Sequence, residues 1–159
     1  MKKIPLTQGQ FALVDDDDFE LVSQYKWYAA WSPSTKGFYA ITHIHKPDGK
    51  RTTLKMHRLI MNPKPGEDVD HIHHNTLDNR KSELRLCTRS QNMQNTRKYA
   101  NNRSGHKGVR WRNDCQKWRA QIWINGKQIH LGNFIEVNDA IAARAAAVIL
   151  YHKEFGRIS

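Results

Sequence analysis

The dipeptide Asn125-Gly126 lies between two segments of alternating apolar and polar residues, and it constrains the fold more than any other feature of the sequence. Asparagine followed by glycine suits a two-residue turn in which both residues have positive φ, and such turns join neighbouring antiparallel strands. The flanking segments, KWRAQIWI and KQIHLGNF, are rich in β-branched and aromatic residues. The sequence therefore predicts a β-hairpin here.

A third strand and a helix complete a predicted C-terminal domain, residues 105–159. GHKGVRWR indicates the first strand, and EVNDAIAARAAAVILYH indicates a helix whose alanines let it lie close to the sheet. Alternation assigns one face of the sheet to pack on Ile141, Ala145 and Val148 of this helix. The residues of that face are Val109, Trp111, Trp118, Ala120, Ile122, Ile124, Ile129 and Leu131.

The opposite face of the same sheet collects basic, amide and aromatic side chains. Its members are Arg110, Arg112, Arg119, Gln121, Trp123, Gln128 and His130. In the major groove of DNA, arginine pairs with guanine and glutamine with adenine. The pattern therefore predicts a DNA-binding face, and a solvated sheet surface is the alternative.

The charge distribution agrees with a nucleic-acid partner. The net charge is +11; residues 1–79 contain ten basic and ten acidic residues, whereas residues 80–159 contain sixteen basic and five acidic ones. An excess confined to one half favours binding to a polyanion, here double-stranded DNA. Cys87 and Cys115 form no Cys-x-x-Cys motif, so we expect two inert thiols and no disulfide framework.

Neither a membrane span nor a signal peptide is expected. No stretch approaches the roughly 20 apolar residues of a membrane helix, and MKKIPLTQGQ has no apolar run. The sequence therefore predicts a cytoplasmic protein with no membrane partner and no small-molecule cofactor. A monomer is the favoured oligomeric state.

Residues 1–60 are predicted to form a small β-rich unit. The acidic run from Asp15 to Asp18 is expected to be a solvated turn that starts a short helix over FELVSQY, because carboxylates favour the positive end of a helix. KWYAAW, GFYAITHI and TTLKMHRLIM are predicted to form a three-stranded meander. The aromatic residues assigned to its core are Trp27, Tyr28, Trp31 and Tyr39.

Residues 61–98 predict a strand, a polar loop, a second strand and a helix. VDHI is the first strand, and ELRLCT is the second, with Leu84, Leu86 and Thr88 in alternation. Thr88-Arg89-Ser90-Gln91 fits a capping box at the start of the helix. Oxygen atoms of Asp70 and Asn92 suit a hard cation, and a neutral His71 could accept a proton from water, so the order predicts metal-assisted phosphodiester hydrolysis.

VDHIHHNTLDNRKSELRLCTRSQNMQN resembles the core of the HNH endonucleases, in particular the homing branch that ends the motif with asparagine. The resemblance extends upstream through MHRLIM to ALVDDDDFE and so covers residues 1–98. It implies a ββα-metal fold, one divalent cation (Mg²⁺, with Mn²⁺ as an alternative), DNA cleavage, and a bacteriophage or mobile-element source active in the host cytoplasm. Carried over, it makes His71 the general base and Asp70 and Asn92 the metal ligands.

Two positions depart from the family pattern. Glu83 replaces the asparagine that pins the loop in the family; we group it with the catalytic residues and expect its carboxylate to accept hydrogen bonds from backbone N–H groups. His73 and His74 replace an Asp/Asn-Gly pair and are expected to be exposed loop residues. The alternative is a zinc site made of His71, His73, His74 and Cys87. His57, on the predicted strand MHRLIM, is expected to pack beneath the site, and an approach to the metal is the alternative.

GVRWR, KWRAQIW and IHLGNF resemble the ethylene-response-factor (Apetala-type) DNA-binding domain, a three-stranded sheet backed by one helix. The resemblance adds Lys107 to the groove-contacting residues, and it gives a nuclease domain followed by a linker, residues 99–104, and a DNA-binding domain. The sequence as a whole predicts an α+β, site-directed HNH endonuclease of the homing type. A DNA-binding regulator with a silenced nuclease core is the alternative.

Overall fold

The computed structural model describes residues 1–95, 102 and 104–155, and most of the predicted linker at 99–104 lies outside the described residues. The chain divides into two compact units, Met1–Thr88 and Arg89–Ser159. This division places the helix predicted after ELRLCT with the second unit. The domain boundary expected near residue 98 stays a prediction.

The first unit consists of three small antiparallel sheets and two short helices. A hairpin of β1 and β2 comes first, the meander of β3, β4 and β5 follows, and β6 pairs with β7. The bounds are β1 Lys2–Pro5, β2 Phe11–Val14, α1 Phe19–Ser23, β3 Tyr28–Ser32, β4 Gly37–His45, β5 Arg51–Lys55, α2 Met56–Met61, β6 Glu67–His71 and β7 Leu84–Thr88. The predicted meander and strand pair are present, whereas the β1–β2 hairpin was not predicted.

The core of the first unit draws on every one of these sheets. It includes Val14 from β2, Ala40 from β4, Val69 from β6 and Leu84 from β7. Trp27 is buried there, and its indole N–H donates to the carbonyl of Val22 at 2.8 Å. The aromatic prediction was wrong for two other residues: Trp31 is 55% exposed and Tyr28 36% exposed. Both lie in β3, an edge strand of the meander.

The segment MHRLIM is a helix, so its assignment to a strand was wrong. Met56, His57 and Ile60 are the buried residues of α2, and positions i, i+1 and i+4 share one side of a helix but not one face of a strand. The helix ends at Met61, and the next residue, Asn62, has a φ of 42° and an N–H that donates to the carbonyl of Arg58 at 3.0 Å. Pro63 then prevents continuation.

The strand pair β6–β7 has a regular antiparallel register in which Asp70 lies opposite Arg85 and His71 opposite Leu84. The alternation expected for β7 holds only in part. Leu84 is buried, but Leu86 is 41% exposed while Cys87 is buried. Cys87 therefore occupies the inner position that the sequence assigned to its neighbour.

The second unit contains the predicted C-terminal sheet and helix together with one short helix. Its elements are α3 Arg89–Gln94, β8 Val109–Arg112, β9 Lys117–Ile124, β10 Lys127–Phe134 and α4 Val137–Tyr151. The strands form an antiparallel sheet with β9 in the centre. Residues Asn125 and Gly126 both have positive φ, 49° and 77°, as the hairpin prediction requires. The mixture of small sheets and helices confirms the α+β class.

Helix α4 packs on one face of the C-terminal sheet. Its buried residues are Ala140, Arg144, Ala147 and Val148. Val109 and Ala120 of the sheet form a buried cluster with Ala140, which Ile141 also contacts. Among the described residues, no helix is both long enough and apolar enough to cross a membrane.

Candidate functional site

His71 is the last residue of β6 and is buried, with 6% of its surface exposed. The chain turns immediately after it: the N–H of His74 donates to the carbonyl of His71 at 3.1 Å. His74 has a φ of 62°, in the left-handed region that the family pattern fills with glycine. The strand end and this turn together determine the position of the imidazole.

Aromatic rings surround the His71 imidazole. The His57 ring lies edge-on to it with a centroid distance of 4.9 Å, and the Tyr39 ring is 6.0 Å away. His57 is itself 5% exposed, in agreement with the prediction that it packs beneath this histidine. Burial lowers the pKa of His71 to about 4, and a hydrogen bond between the ring and the Asn79 side chain opposes that change. The imidazole is therefore neutral at pH 7 and able to accept a proton.

Asn79, which interacts with His71, is fully buried and is positioned by the first hairpin. The N–H of Leu13 donates to the carbonyl of Leu77, and the N–H of Asn79 donates to the carbonyl of Leu13, both at 2.8 Å. These two bonds attach the loop after β6 to the edge of β2. Asn79 lies in the polar loop predicted between the two strands, and nothing local in the sequence shows that a strand 66 residues upstream is its partner.

The acidic run before α1 also holds this loop. Asp18 is 6% exposed, and its Oδ1 is 2.7 Å from the ammonium nitrogen of Lys81; Oδ2 of Asp15 accepts from the backbone N–H of Lys81 at 2.8 Å. The 3-10 turn at Asp16–Asp18 does precede α1, but no side chain caps either helix. The expectation of a merely solvated capping turn was therefore wrong.

Asp70 is buried next to His71 and is paired with an arginine. Its Oδ2 accepts from Nε of Arg85 at 2.9 Å and from Nη2 at 2.7 Å. The two residues face each other across the β6–β7 pair, so the strand register brings them together. A carboxylate at this position has the oxygen chemistry that a hard divalent cation prefers, and Arg85 shares the same oxygen.

The zinc alternative is contradicted. Within residues 1–95, 102 and 104–155, no group of three or more His, Cys, Asp or Glu side chains could hold a metal ion. Burial also raises the pKa of the Cys87 thiol to about 11, so that thiol stays protonated at neutral pH. Cys87 is thus the buried inert thiol that was expected, whereas Cys115 is exposed.

Glu83 and His73, the two departures from the family pattern, meet in space. Nδ1 of His73 lies 2.7 Å from Oε2 of Glu83, and a carboxylate can only accept, so the imidazole donates. A backbone hydrogen bond joins the two segments at the same place: the carbonyl of Glu83 accepts from the N–H of Ile72 at 3.0 Å. The carboxylate contacts a side chain, whereas the sequence argument expected it to contact backbone N–H groups.

Asn92, the other ligand assigned by resemblance, lies in α3 of the second unit. Its role as a ligand remains a prediction. The helix expected after ELRLCT is present, and it begins at Arg89.

The proposed DNA-binding residues share one face of the C-terminal sheet, as strand register shows. Arg110 pairs with Arg119 across β8 and β9; Gln121 pairs with His130 and Trp123 with Gln128 across β9 and β10. Paired residues point to the same side, so these side chains form one surface, on which Trp123 is 58% exposed. Lys117 and Asn133 lie on this surface as well, opposite Arg112 and Arg119, and were not predicted.

Three of the expected contact residues already have partners, and the longest of these contacts is the 3.4 Å hydrogen bond from Nε of Arg119 to Oδ1 of Asn133. The ammonium of Lys107, before β8, donates to the carbonyls of Met93 and Gln94 at 3.0 and 3.1 Å, so it caps the end of α3. Arg112 is on the predicted face but is paired with Asp114. The face is therefore centred on β9, with Arg119, Gln121 and Trp123.

Comparison with known proteins relates the segment around His71 to a protein family. Residues 55–94, which contain α2, His71 and the β6–β7 pair, match the family described as HNH endonuclease. The chain therefore contains an HNH endonuclease domain.

Two viral proteins are similar to the chain. An uncharacterized HNH endonuclease of Acanthamoeba polyphaga mimivirus is 36% identical over 125 residues, which cover 75% of this chain and 58% of that protein. Protein 3.8 of Escherichia phage T7 is 35% identical over 63 residues, which cover 40% of this chain and 52% of that protein. The chain thus spans little more than half the length of these relatives. No solved structure matches it significantly.

Proposed function

We propose that this protein is a site-directed DNA endonuclease of the homing type, in which the HNH domain hydrolyses one phosphodiester bond and the C-terminal sheet selects the DNA. The observation that carries the proposal is the buried, neutral His71 beside the carboxylate of Asp70 within the HNH match. A neutral imidazole can take a proton from water, and a carboxylate oxygen can hold a hard cation.

His71 would accept the proton of the attacking water. Its ring orientation is determined by the edge-on contact with His57 and by the Asn79 side chain, so the accepting nitrogen needs no rearrangement during the reaction. The low pKa makes the imidazole a weak base, but it guarantees that nearly every molecule carries the unprotonated form at pH 7.

Asp70, with Asn92 as the second oxygen donor, would hold a divalent cation, Mg²⁺ or Mn²⁺. When bound, the cation stabilises negative charge on the phosphate and on the leaving oxygen. The donor chemistry fits, since carboxylate and amide oxygens are hard ligands. Arg85 would share or release Oδ2 of Asp70, which it contacts through Nε and Nη2.

The C-terminal sheet would serve as an ethylene-response-factor-like reader of the major groove. Its central strand presents Arg119, Gln121 and Trp123 on one side, flanked by Arg110 and His130. The fork of arginine and the amide of glutamine can each form two hydrogen bonds with one base, which gives sequence selectivity.

A second candidate function is DNA binding without cleavage, with the HNH domain silenced. One observation favours it: Oδ2 of Asp70 already accepts two hydrogen bonds from Arg85. If that pair outcompetes the cation, the protein binds its site and leaves it intact.

The test uses supercoiled plasmids with randomised inserts, incubated with the wild-type protein in Mg²⁺, Mn²⁺ or EDTA, with new 5′ ends located by sequencing. We expect ends at a recurrent sequence with either cation and none with EDTA. No new ends under any condition, together with retained binding of DNA in a gel shift, would favour the silenced alternative.

Two histidine variants then test the role of His71. His71→Ala should abolish cleavage and leave DNA affinity nearly unchanged, because a general base takes part in the chemistry and not in ground-state binding. His45→Ala is the matched control, since His45 is an exposed histidine of the same unit. Parallel loss of cleavage and affinity in His71→Ala would contradict the assignment.

A further inference from the structure

An arginine occupies a buried position on the side of α4 that packs on the sheet. Arg144 lies four residues after Ala140 and four before Val148, and both neighbours are buried. Residues four apart share one side of an α-helix, so Arg144 interrupts a stripe of small apolar residues. Only 4% of its surface is exposed. Solubility therefore does not explain a charge at this position.

Two nitrogens of this guanidinium make no hydrogen bond within the part of the chain that the structure describes. They are Nε and Nη1 of Arg144, and both are buried. Burial lowers the pKa of the side chain, yet a guanidinium stays protonated at neutral pH because its ordinary pKa lies so far above 7. Buried charges in folded proteins are normally paired. The geometry thus equips Arg144 to receive an anion.

Arg144 lines a cavity of about 1010 Å³ in the second unit. The cavity borders the part of β9 that β8 does not cover, since β8 pairs with β9 only as far as Ala120. Beyond that point, the carbonyl of Trp123 accepts from Nε2 of His152 at 2.8 Å, which holds the end of α4 beside the strand. Gln121 and Trp123 of the DNA-binding face contribute to the same wall.

The charged side chains among the described residues that line this cavity are all positive. Among the described residues that line it, none is an aspartate or a glutamate, and those with a permanent positive charge are Arg89, Lys107, Arg110 and Arg144. Gly108 lets the backbone approach the guanidinium: a Cβ there would lie 2.6 Å from Nε of Arg144. A cavity of this kind concentrates anions and excludes cations.

We infer that the cavity is a binding site for a phosphate group, with the buried guanidinium of Arg144 as its main donor. A guanidinium donates two parallel hydrogen bonds to phosphate oxygens, which would satisfy the nitrogens that have no protein partner. Trp111 and Trp123 also line the cavity, and their rings suit the base or sugar that accompanies a nucleotide phosphate. The phosphate belongs either to the DNA backbone or to a free nucleotide. The DNA source rests on the proposed function, whereas the nucleotide source does not.

The experiment compares the full-length wild type with Arg144→Met, Arg144→Lys and Arg51→Met. The last removes one positive charge from an exposed residue of the first unit and is the matched control. Thermal unfolding is followed while inorganic phosphate, a deoxynucleoside monophosphate or a short DNA duplex is titrated at constant ionic strength, with acetate as a carboxylate probe. In parallel, NMR follows the Nε–H resonance of Arg144 in the wild type.

At about ten times its dissociation constant, phosphate should raise the Tm of the wild type and of Arg51→Met by about 5 °C or more. Arg144→Met should have no such response, and Arg144→Lys a smaller one. Without phosphate, Arg144→Met should melt at or above the wild type, because the uncompensated buried charge is gone.

The Nε–H resonance of Arg144 should move with phosphate and with whichever source is physiological. A shift with the nucleotide alone, or with the duplex alone, identifies that source. A resonance that none of the phosphate probes moves overturns the inference whether or not the variants fold. An equal rise of Tm in all four proteins, or a response to acetate as large as that to phosphate, overturns it as well.

Discussion

The pair between His73 and Glu83 makes a sharp prediction about how the loop beside His71 is held. Their contact atoms are 2.7 Å apart, but His73 is 73% exposed and Glu83 21% exposed. Solvent screens such a pair, so its contribution is about 0.5–1 kcal/mol. If that energy orders the loop for catalysis, its loss lowers kcat about 2- to 5-fold.

The assay is a double-mutant cycle on both cleavage rate and urea stability. We expect His73→Ala and Glu83→Ala each to lose about 0.5–1 kcal/mol, and the double variant to lose no more than either one, because the two residues act only through each other. Replacing both with the residue types of the family pattern, His73→Asp with Glu83→Asn, should retain cleavage. His45→Ala again serves as the control.

One result would refute this reasoning. If Glu83→Ala lowers kcat more than about 100-fold while His73→Ala has no effect, the carboxylate acts by itself as a metal ligand or as an acid–base partner of His71. Strict additivity in the cycle would likewise show that the contact between the two side chains carries no energy.

Three further predictions concern stability and binding. The fold lowers the pKa of His57 to about 2 and that of His71 to about 4, from 6.5. Below pH 6.5 the unfolded chain therefore binds more protons than the folded one, so the free energy of unfolding in EDTA should decrease as the pH is lowered. For His71 alone, the decrease should be on the order of 3 kcal/mol by pH 4. Urea titrations of wild type and His71→Phe from pH 7 to 4 check this, and equal slopes would contradict it. Gly108→Ala should destabilise the second unit by about 2–4 kcal/mol, because the added Cβ would lie 2.4 Å from the carbonyl oxygen of Gln121 and because residue 108 has a φ of +79°. A loss of stability below about 1 kcal/mol in tryptophan-monitored unfolding would show that the backbone relaxes. Residues 89–159 alone should bind DNA with an affinity that falls steeply with salt, and a flat salt dependence in fluorescence anisotropy would mean that the sheet face is only solvated.

Local patterns allowed much of the fold to be predicted from the sequence. The hairpin at Asn125-Gly126 depends on two residues that tolerate positive φ, and the faces of β9 follow from alternation with a period of two. The β6 strand, with Asp70 and His71 at its end, was predicted for the same reason. Each of these features is determined by a few consecutive residues, so tertiary contacts have little effect on it.

Tertiary structure alone decided which side chains meet around those elements. Asn79 reaches His71 because β2 binds the loop through Leu13, and Lys81 is held by Asp18 from 63 residues away. Arg144 is buried against Gly108. Its burial depends on how α4 packs on the sheet, which the helix sequence alone does not show. Contacts between distant segments depend on packing and on the register of separate elements, and the period of one segment carries no information about its partner.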